Sequence, residues 1–163
     1  MDCETPAAWV NLIDEESGLY NRLHLVHFLT EAFARARRYG GPLSCVLFRA
    51  TWWRGFEEIG APPAEAVRTL GRFLLLGVRE GDILGRWSDQ EFLLVAPGTS
   101  REGAAMCMGK ILDRLAAAPL SFEGSVTASV RAGEAGLPED AARLRYPEDL
   151  PLLAHERLIA ATR

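Results

Sequence analysis

The sequence predicts an α/β domain in which helices pack on a central mixed sheet. Segments whose apolar residues recur at helical spacing alternate with short apolar runs, and a tight turn joins one pair of these runs. The 163 residues, 48% of them hydrophobic, suffice to form the core of one ordinary globular domain. The sequence contains no internal repeat and no linker long enough to separate two domains.

The first predicted helix begins after Asn21, a residue type that caps helix N-termini. Residues 40–42, Gly-Gly-Pro, end this helix, and the compact apolar run of residues 43–50 predicts a central strand. The apolar residues of the helix recur at helical spacing, and they are Leu25, Phe28, Leu29, Ala32, Phe33 and Ala36.

The middle of the chain predicts a helix followed by a hairpin. Residues 60–63, Gly-Ala-Pro-Pro, break the chain, and residues 64–79 then predict a second helix. Residues 81–87 and 91–96 are short apolar runs on either side of a polar turn, which is typical of a strand-turn-strand unit.

The last third of the chain predicts a helix, a strand and a final helix. Thr99 and Glu102 form a capping box for a helix that stops near Pro119. Residues 126–132 predict a further strand, and residues 150–161 predict the last helix. The apolar positions of the third helix are Ala105, Met108, Ile111, Leu112 and Leu115.

Charge and cysteine content exclude several classes of protein. The formal charge of −4 is spread along the chain, whereas a nucleic-acid-binding domain needs a concentrated basic face. Cys3, Cys45 and Cys107 are odd in number and widely spaced, which favours reduced thiols over a disulfide framework or a zinc site. The acidic, polar N-terminus predicts no signal peptide, and no apolar run approaches the roughly 20 residues of a membrane helix. We therefore expect a soluble, cytoplasmic protein that neither inserts into a membrane nor binds nucleic acid.

The polar turn of the hairpin carries the most informative motif. Residues 86–92 read Arg-Trp-Ser-Asp-Gln-Glu-Phe. They resemble the strand end and the Gly-Gly-(Asp/Glu)-Glu-Phe turn of GGDEF domains, the diguanylate cyclases. Only Glu91 and Phe92 match the pentapeptide itself, so the resemblance is to a degenerate member of that family.

Further blocks resemble the same family in the same order. Residues 14–22 are similar to its opening motif, residues 35–43 to the exit of its first helix, and residues 126–130 to a late strand. The resemblance thus covers a domain of residues 14–163 after a short N-terminal extension of residues 1–13. It implies a mostly antiparallel sheet flanked by helices, the palm-like, ferredoxin-related fold of nucleotide cyclases.

The resemblance also implies a catalytic site that has lost its ligands. Family members hold Mg²⁺ with an Asp ending the first strand and with the third residue of the turn motif, which here are Arg49 and Gln90. The two turn glycines that let GTP phosphates approach the backbone are replaced by Ser88 and Asp89. We expect no metal and no cyclase activity, and we expect Arg49 to donate to Asp89, Gln90 or Glu91. An active enzyme that uses Asp89 and Glu91 as substitute ligands is the enzymatic alternative.

A second motif precedes the hairpin by a few residues. Arg79 and Asp82 form the Arg-x-x-Asp tetrapeptide that, in the family, binds the product cyclic di-GMP as an inhibitor. Lys110 falls where some members place a second basic residue of that site. Arg offers a planar fork to phosphate or guanine, and a carboxylate accepts hydrogen bonds from guanine. Cyclic di-GMP is therefore a possible ligand, and no other cofactor is expected.

The same residues also have a purely structural interpretation. Arg79 ends a predicted helix, where cations are favoured, and a Gly-Asp pair is ordinary in a turn. The sequence thus leaves two functions open, a receptor for cyclic di-GMP and a protein-interaction domain that binds no nucleotide. A protein partner is expected in either case. Trp52 is predicted to be exposed and able to anchor a partner, whereas Trp53 is predicted to lie in the core.

Overall fold

The computed structural model describes residues 11–160, so Cys3 lies outside the described residues. The helices are α1 (Arg22–Tyr39), α2 (Ala64–Leu75), α3 (Arg101–Ala117) and α4 (Asp149–Glu156), with a short 3-10 turn at Ala141–Arg143. The strands are β1 (Leu43–Arg54), β2 (Glu57–Ile59), β3 (Ile83–Ser88), β4 (Glu91–Pro97), β5 (Ser121–Phe122), β6 (Val126–Leu137) and β7 (Ile159–Ala160).

All of these strands belong to one sheet. Its main path runs β3-β4-β1-β6-β5, while β2 pairs with β1 and β7 pairs with β6. Every pairing between these described strands is antiparallel. The expected antiparallel sheet flanked by helices is confirmed, whereas the mixed sheet indicated by the alternation of helices and strands is wrong.

Several boundaries differ from the predicted ones. Strand β1 continues past residue 50 to Arg54 and folds back through β2, a hairpin that the sequence did not predict. Helix α2 ends at Leu75 rather than at residue 79. Ser100, not Thr99, caps α3, because the Ser100 hydroxyl accepts from the Gly103 amide. The last helix ends at Glu156, since β7 follows it at residues 159–160.

The helices cover both faces of the sheet and form two hydrophobic cores. Helices α2 and α3 pack on the face to which β1 contributes Val46, Phe48 and Trp52. Helices α1 and α4 pack on the other face, around Cys45 and Leu47. Successive residues of a strand point to opposite faces, so this alternation distributes β1 between the two cores. Among the described residues, no helix combines the length and apolarity needed to cross a membrane.

The prediction for the two tryptophans is reversed in the structure. Trp52 is fully buried against Phe122, with ring centroids 5.9 Å apart, whereas Trp53 is only half-buried. The reason is the length of β1, because the alternation that buries Phe48 and Ala50 continues to Trp52. Trp52 is therefore a core residue and cannot anchor a partner.

One glycine allows α4 to lie close to the sheet. A Cβ atom at Gly133, on β6, would collide with the carbonyl oxygen of Ala154, on α4. Only glycine permits so close an approach of two backbones. This approach brings the C-terminal turn of α4, including His155, towards the β3–β4 turn.

Candidate functional site

The first candidate site lies where β1 ends beside the turn between β3 and β4. Antiparallel pairing of β1 with β4 sets Arg49 opposite Glu91. We call this place the turn site, and it comprises Arg49, Ser88, Gln90, Glu91 and His155. The expected contact of Arg49 is confirmed, because Nη1 donates to Glu91 Oε1 at 3.2 Å and Nη2 donates to Gln90 Oε1 at 2.8 Å.

Glu91 is the centre of the turn site. It is buried, and its Oε2 accepts from the Ser88 hydroxyl at 2.9 Å. His155 Nδ1 lies 3.0 Å from Oε1, the same oxygen that faces Arg49. Both carboxylate oxygens therefore already have partners within the chain. His155 was missed from the sequence, because it lies 64 residues from Glu91 and on another element.

Asp89 is not part of this cluster. Its side chain is exposed, and its backbone carbonyl accepts from Arg86 Nη2 at 2.5 Å. Arg86 Nε also donates to the Ser88 carbonyl at 2.8 Å, and Nη1 donates to Asp14 Oδ2 at 3.4 Å. The buried Arg86 thus fixes the turn and ties it to the segment before α1.

The donor set of the turn site does not suit a divalent cation. Mg²⁺ needs several oxygen ligands, whereas here a guanidinium and a neutral amide flank a carboxylate that is already bonded. The guanidinium of Arg49 is positively charged, so it repels a cation. Within residues 11–160, no group of three or more His, Cys, Asp or Glu side chains could hold a metal ion.

The second candidate site is a pocket of about 230 Å³ between the segment that follows α2 and helix α3. We call it the α2–α3 pocket. It brings together Arg79 and Lys110 as the sequence predicts, and it adds Arg114, which sequence reasoning missed. The remaining lining residues are Gly77, Gly103, Met106, Cys107 and Ile111.

Asp82 does not line the α2–α3 pocket, but it lies close enough to interact electrostatically with residues that do. Burial raises the pKa of the Asp82 carboxyl above its usual 3.8, and the charge of Arg79 opposes this shift. Burial also raises the pKa of the Cys107 thiol, with a further increase from Asp82, while Arg79 and Lys110 act in the opposite direction. All four residues therefore share one electrostatic environment.

The cations of the α2–α3 pocket form no ion pairs within the part of the chain that the structure describes. Among the described residues, neither Arg79 nor Lys110 nor Arg114 makes a salt bridge. The guanidinium of Arg114 lies over the Phe73 ring, 4.9 Å from its centroid. Three cations beside one partly buried carboxylate form a surface that suits a polyanionic ligand better than a metal or a cation.

Comparison with known proteins gives this geometry its context. The sequence profile of the family described as "Diguanylate cyclase, GGDEF domain" matches residues 11–161. A curated relative, the probable diguanylate cyclase DgcC of Escherichia coli, is 26% identical over 126 residues. That match covers 76% of this chain and 34% of DgcC, so the chain spans about a third of that relative's length.

Solved structures agree with the family assignment at the level of the fold. The GGDEF domain of FimX from Pseudomonas aeruginosa has a TM-score of 0.73 at 21% identity, covering 91% of both chains. The GGDEF domain of DgcB from Caulobacter crescentus, solved in complex with c-di-GMP, has a TM-score of 0.73 at 16% identity. That match covers 89% of this chain and 84% of the DgcB chain. Since the family profile spans nearly all of the sequence, this chain belongs to the GGDEF domain family of diguanylate cyclases.

Proposed function

We propose that this chain is a catalytically inactive GGDEF domain that binds cyclic di-GMP in the α2–α3 pocket. The observation that carries the proposal is the contrast in charge between its two sites. Arg49 neutralises the turn site with its own guanidinium, whereas Arg79 and Lys110 converge on the α2–α3 pocket without a salt-bridge partner among the described residues.

Loss of activity follows from the chemistry that two GTP molecules require. Each 3′-hydroxyl must attack an α-phosphate, and bound metal ions lower the hydroxyl pKa and neutralise the phosphate charge. Arg49 and Gln90 replace the two metal-binding carboxylates expected from the family, and Glu91 is held by Arg49, Ser88 and His155. Nothing in the turn site supplies the missing metal ligands.

The activity test uses the purified chain with GTP and either Mg²⁺ or Mn²⁺. We expect no cyclic di-GMP above the level formed without protein, measured by chromatography. Turnover that disappears in Glu91→Gln or Asp89→Asn would contradict the proposal, because it would identify those carboxylates as substitute ligands.

Ligand binding is tested by calorimetric titration of cyclic di-GMP. Arg79→Ala removes a charge-assisted hydrogen bond worth about 1.5–3 kcal/mol, so binding should weaken roughly tenfold or more. Asp82→Ala should reduce the preference for guanine, measured as the ratio of affinities for cyclic di-GMP and cyclic di-AMP. Binding that Arg79→Ala leaves unchanged would mean that the ligand occupies another surface.

The alternative function is a protein-interaction domain that binds no nucleotide. The observation that favours it is Phe56, which is fully exposed at the tip of the β1–β2 hairpin. An exposed aromatic side chain on a short, paired hairpin can insert into an apolar pocket of a partner. Absence of binding at high micromolar cyclic di-GMP would favour this alternative.

A further inference from the structure

Arg114 is the cation of the α2–α3 pocket that no motif identified. It lines the pocket together with Arg79 and Lys110, and its side chain makes no salt bridge among the described residues. Its contact is a stacking one, with the guanidinium 4.9 Å from the centroid of the Phe73 ring. Stacking occupies the face of the guanidinium and leaves its N–H donors, which lie in the plane, available to a ligand.

The spacing of Lys110 and Arg114 indicates a ligand with more than one negative charge. The two residues are four positions apart on α3, so they lie on one face and about 6 Å apart along the helix axis. Like charges at this spacing repel each other and destabilise an isolated helix. An anion that contacts only Lys110 would leave the charge of Arg114 unbalanced, whereas two linked anions would balance both.

The size of the pocket places the ligand across its mouth. Its volume of about 230 Å³ is smaller than the ~300–1,000 Å³ of pockets that enclose a drug-sized molecule. A cyclic dinucleotide therefore cannot lie wholly inside, and part of its ring must rest on the exposed surface of α3. The side chains of Lys110 and Arg114 are exposed on that surface.

We infer that Arg114 binds the second phosphodiester of a cyclic dinucleotide whose first phosphodiester lies on Arg79 and Lys110. This inference rests on the proposed function, and it gives the pocket a means to distinguish ligands with two phosphodiesters from ligands with one. A ligand with two phosphodiesters in one ring engages all three cations, whereas a cyclic mononucleotide engages only the first pair. Arg114 is thus the residue that selects cyclic dinucleotides over cyclic mononucleotides.

The experiment compares cyclic di-GMP with cyclic GMP on the wild-type chain, Arg114→Gln and Arg72→Gln. Arg72 is a matched control, because it is an exposed arginine of α2 that does not line the pocket. We expect Arg114→Gln to weaken binding of cyclic di-GMP about tenfold and to leave cyclic GMP unchanged. Arg72→Gln should leave both affinities unchanged, and thermal melting should show that all three proteins are folded.

Salt dependence supplies a second readout if cyclic GMP binds too weakly to be measured. The affinity of wild type for cyclic di-GMP should fall with added salt, and the fall should be shallower for Arg114→Gln but not for Arg72→Gln. If Arg79→Ala weakens binding while Arg114→Gln matches Arg72→Gln, the inference is wrong and the proposed function stands. An equal loss for both ligands in Arg114→Gln also overturns it. If the wild-type chain binds no cyclic di-GMP, the proposed function fails and the inference fails with it.

Discussion

The turn site and the α2–α3 pocket both contain arginine, but only at the turn site does the arginine have a carboxylate partner. At the turn site, Arg49 donates to Glu91 and Gln90, and Glu91 also bonds Ser88 and His155. In the pocket, Arg79, Lys110 and Arg114 have no salt-bridge partner among the described residues.

Under the proposed function, the difference separates residues that hold the fold from residues that bind a ligand. A buried carboxylate whose partners come from its own chain contributes to stability, and a ligand would have to compete with those partners for it. Cations that face a pocket without partners contribute little to stability but can bind a polyanion. Substitutions at the turn site should therefore change the free energy of unfolding, and substitutions in the pocket should change ligand affinity.

The largest effect is expected at a buried carboxylate outside both sites. Asp140 accepts two hydrogen bonds from Arg157 at 2.7 and 2.8 Å and one from the Gly136 amide at 2.9 Å. Asp140→Ala would leave the half-buried Arg157 guanidinium without its carboxylate partner and with only the Glu134 carbonyl, at 3.2 Å, as an acceptor. This should cost about 3 kcal/mol in the free energy of unfolding. Denaturant unfolding followed by circular dichroism measures this loss.

The control for Asp140→Ala is an exposed ion pair with equally short geometry. Arg143 and Glu156 approach to 2.7 Å, but both side chains are more than half exposed. Arg143→Ala should cost less than about 1 kcal/mol. Equal losses in the two variants would mean that burial of an ion pair does not determine how much it contributes to the free energy of unfolding.

A smaller loss is expected at the turn site itself. Glu91→Ala removes the acceptor of Arg49, Ser88 and His155, which should cost about 2–3 kcal/mol in the free energy of unfolding. Asp89→Ala, in the same turn but exposed, should change stability by less than about 0.5 kcal/mol. Affinity for cyclic di-GMP should be the same in both variants, and a selective loss of binding in Glu91→Ala would break the separation between the two sites.

The sequence predicts local structure and neighbours across a strand pair better than contacts between distant elements. The β3–β4 hairpin and the meeting of Arg49 with residues 90 and 91 both follow from strand pairing. His155 lies beside Glu91 on a helix that packs closely on the sheet at Gly133, and no local pattern in the sequence indicates that approach. The position of Arg114, in contrast, could have been predicted, because its spacing from Lys110 on a predicted helix places the two residues on one face.

The two tryptophans show how an error in the predicted end of one strand leads to errors in predicted burial. With β1 predicted to end at residue 50, Trp52 falls in a loop and its burial cannot be inferred from alternation. With the observed end at Arg54, the same alternation buries Trp52 and leaves Trp53 half-buried. Strand ends depend on tertiary pairing, here with β2 and β6, and this pairing is not visible in a single sequence.

Alkylation of Cys107 tests whether cyclic di-GMP covers the α2–α3 pocket. Its thiol lines the pocket and lies 3.4 Å from the Gly77 carbonyl, whereas burial raises the pKa of Cys45 to about 12 and keeps that thiol unreactive. With ligand at ten times its dissociation constant, only about a tenth of the protein is free, so labelling of Cys107 should slow roughly tenfold. Peptide mass spectrometry after iodoacetamide treatment measures both cysteines separately. An unchanged rate for Cys107 at saturating cyclic di-GMP would mean that the ligand does not cover this pocket.

The smallest effect is a pH dependence that separates the two kinds of carboxylate. Hydrogen bonds from Arg157 hold the pKa of Asp140 below 3.8, so its stabilisation is complete above that value and is lost only as the pH falls through the lower folded-state pKa. Burial instead raises the pKa of Asp82, so Asp82 takes up a proton first as the pH falls. A protonated Asp82 is a weaker acceptor for guanine N–H groups, and binding should weaken while the fold is still intact.

The expected size of this effect follows from the fraction of Asp82 that is protonated. Where half of the free protein carries the proton, the affinity for cyclic di-GMP should fall about twofold, provided that the ionised form binds. Titrations at a series of acidic pH values, with circular dichroism to verify folding, measure the dependence. Asp82→Asn is the matched control, because it removes the titration and should bind equally across the same pH range. A twofold loss that persists in Asp82→Asn would assign the pH dependence to another group.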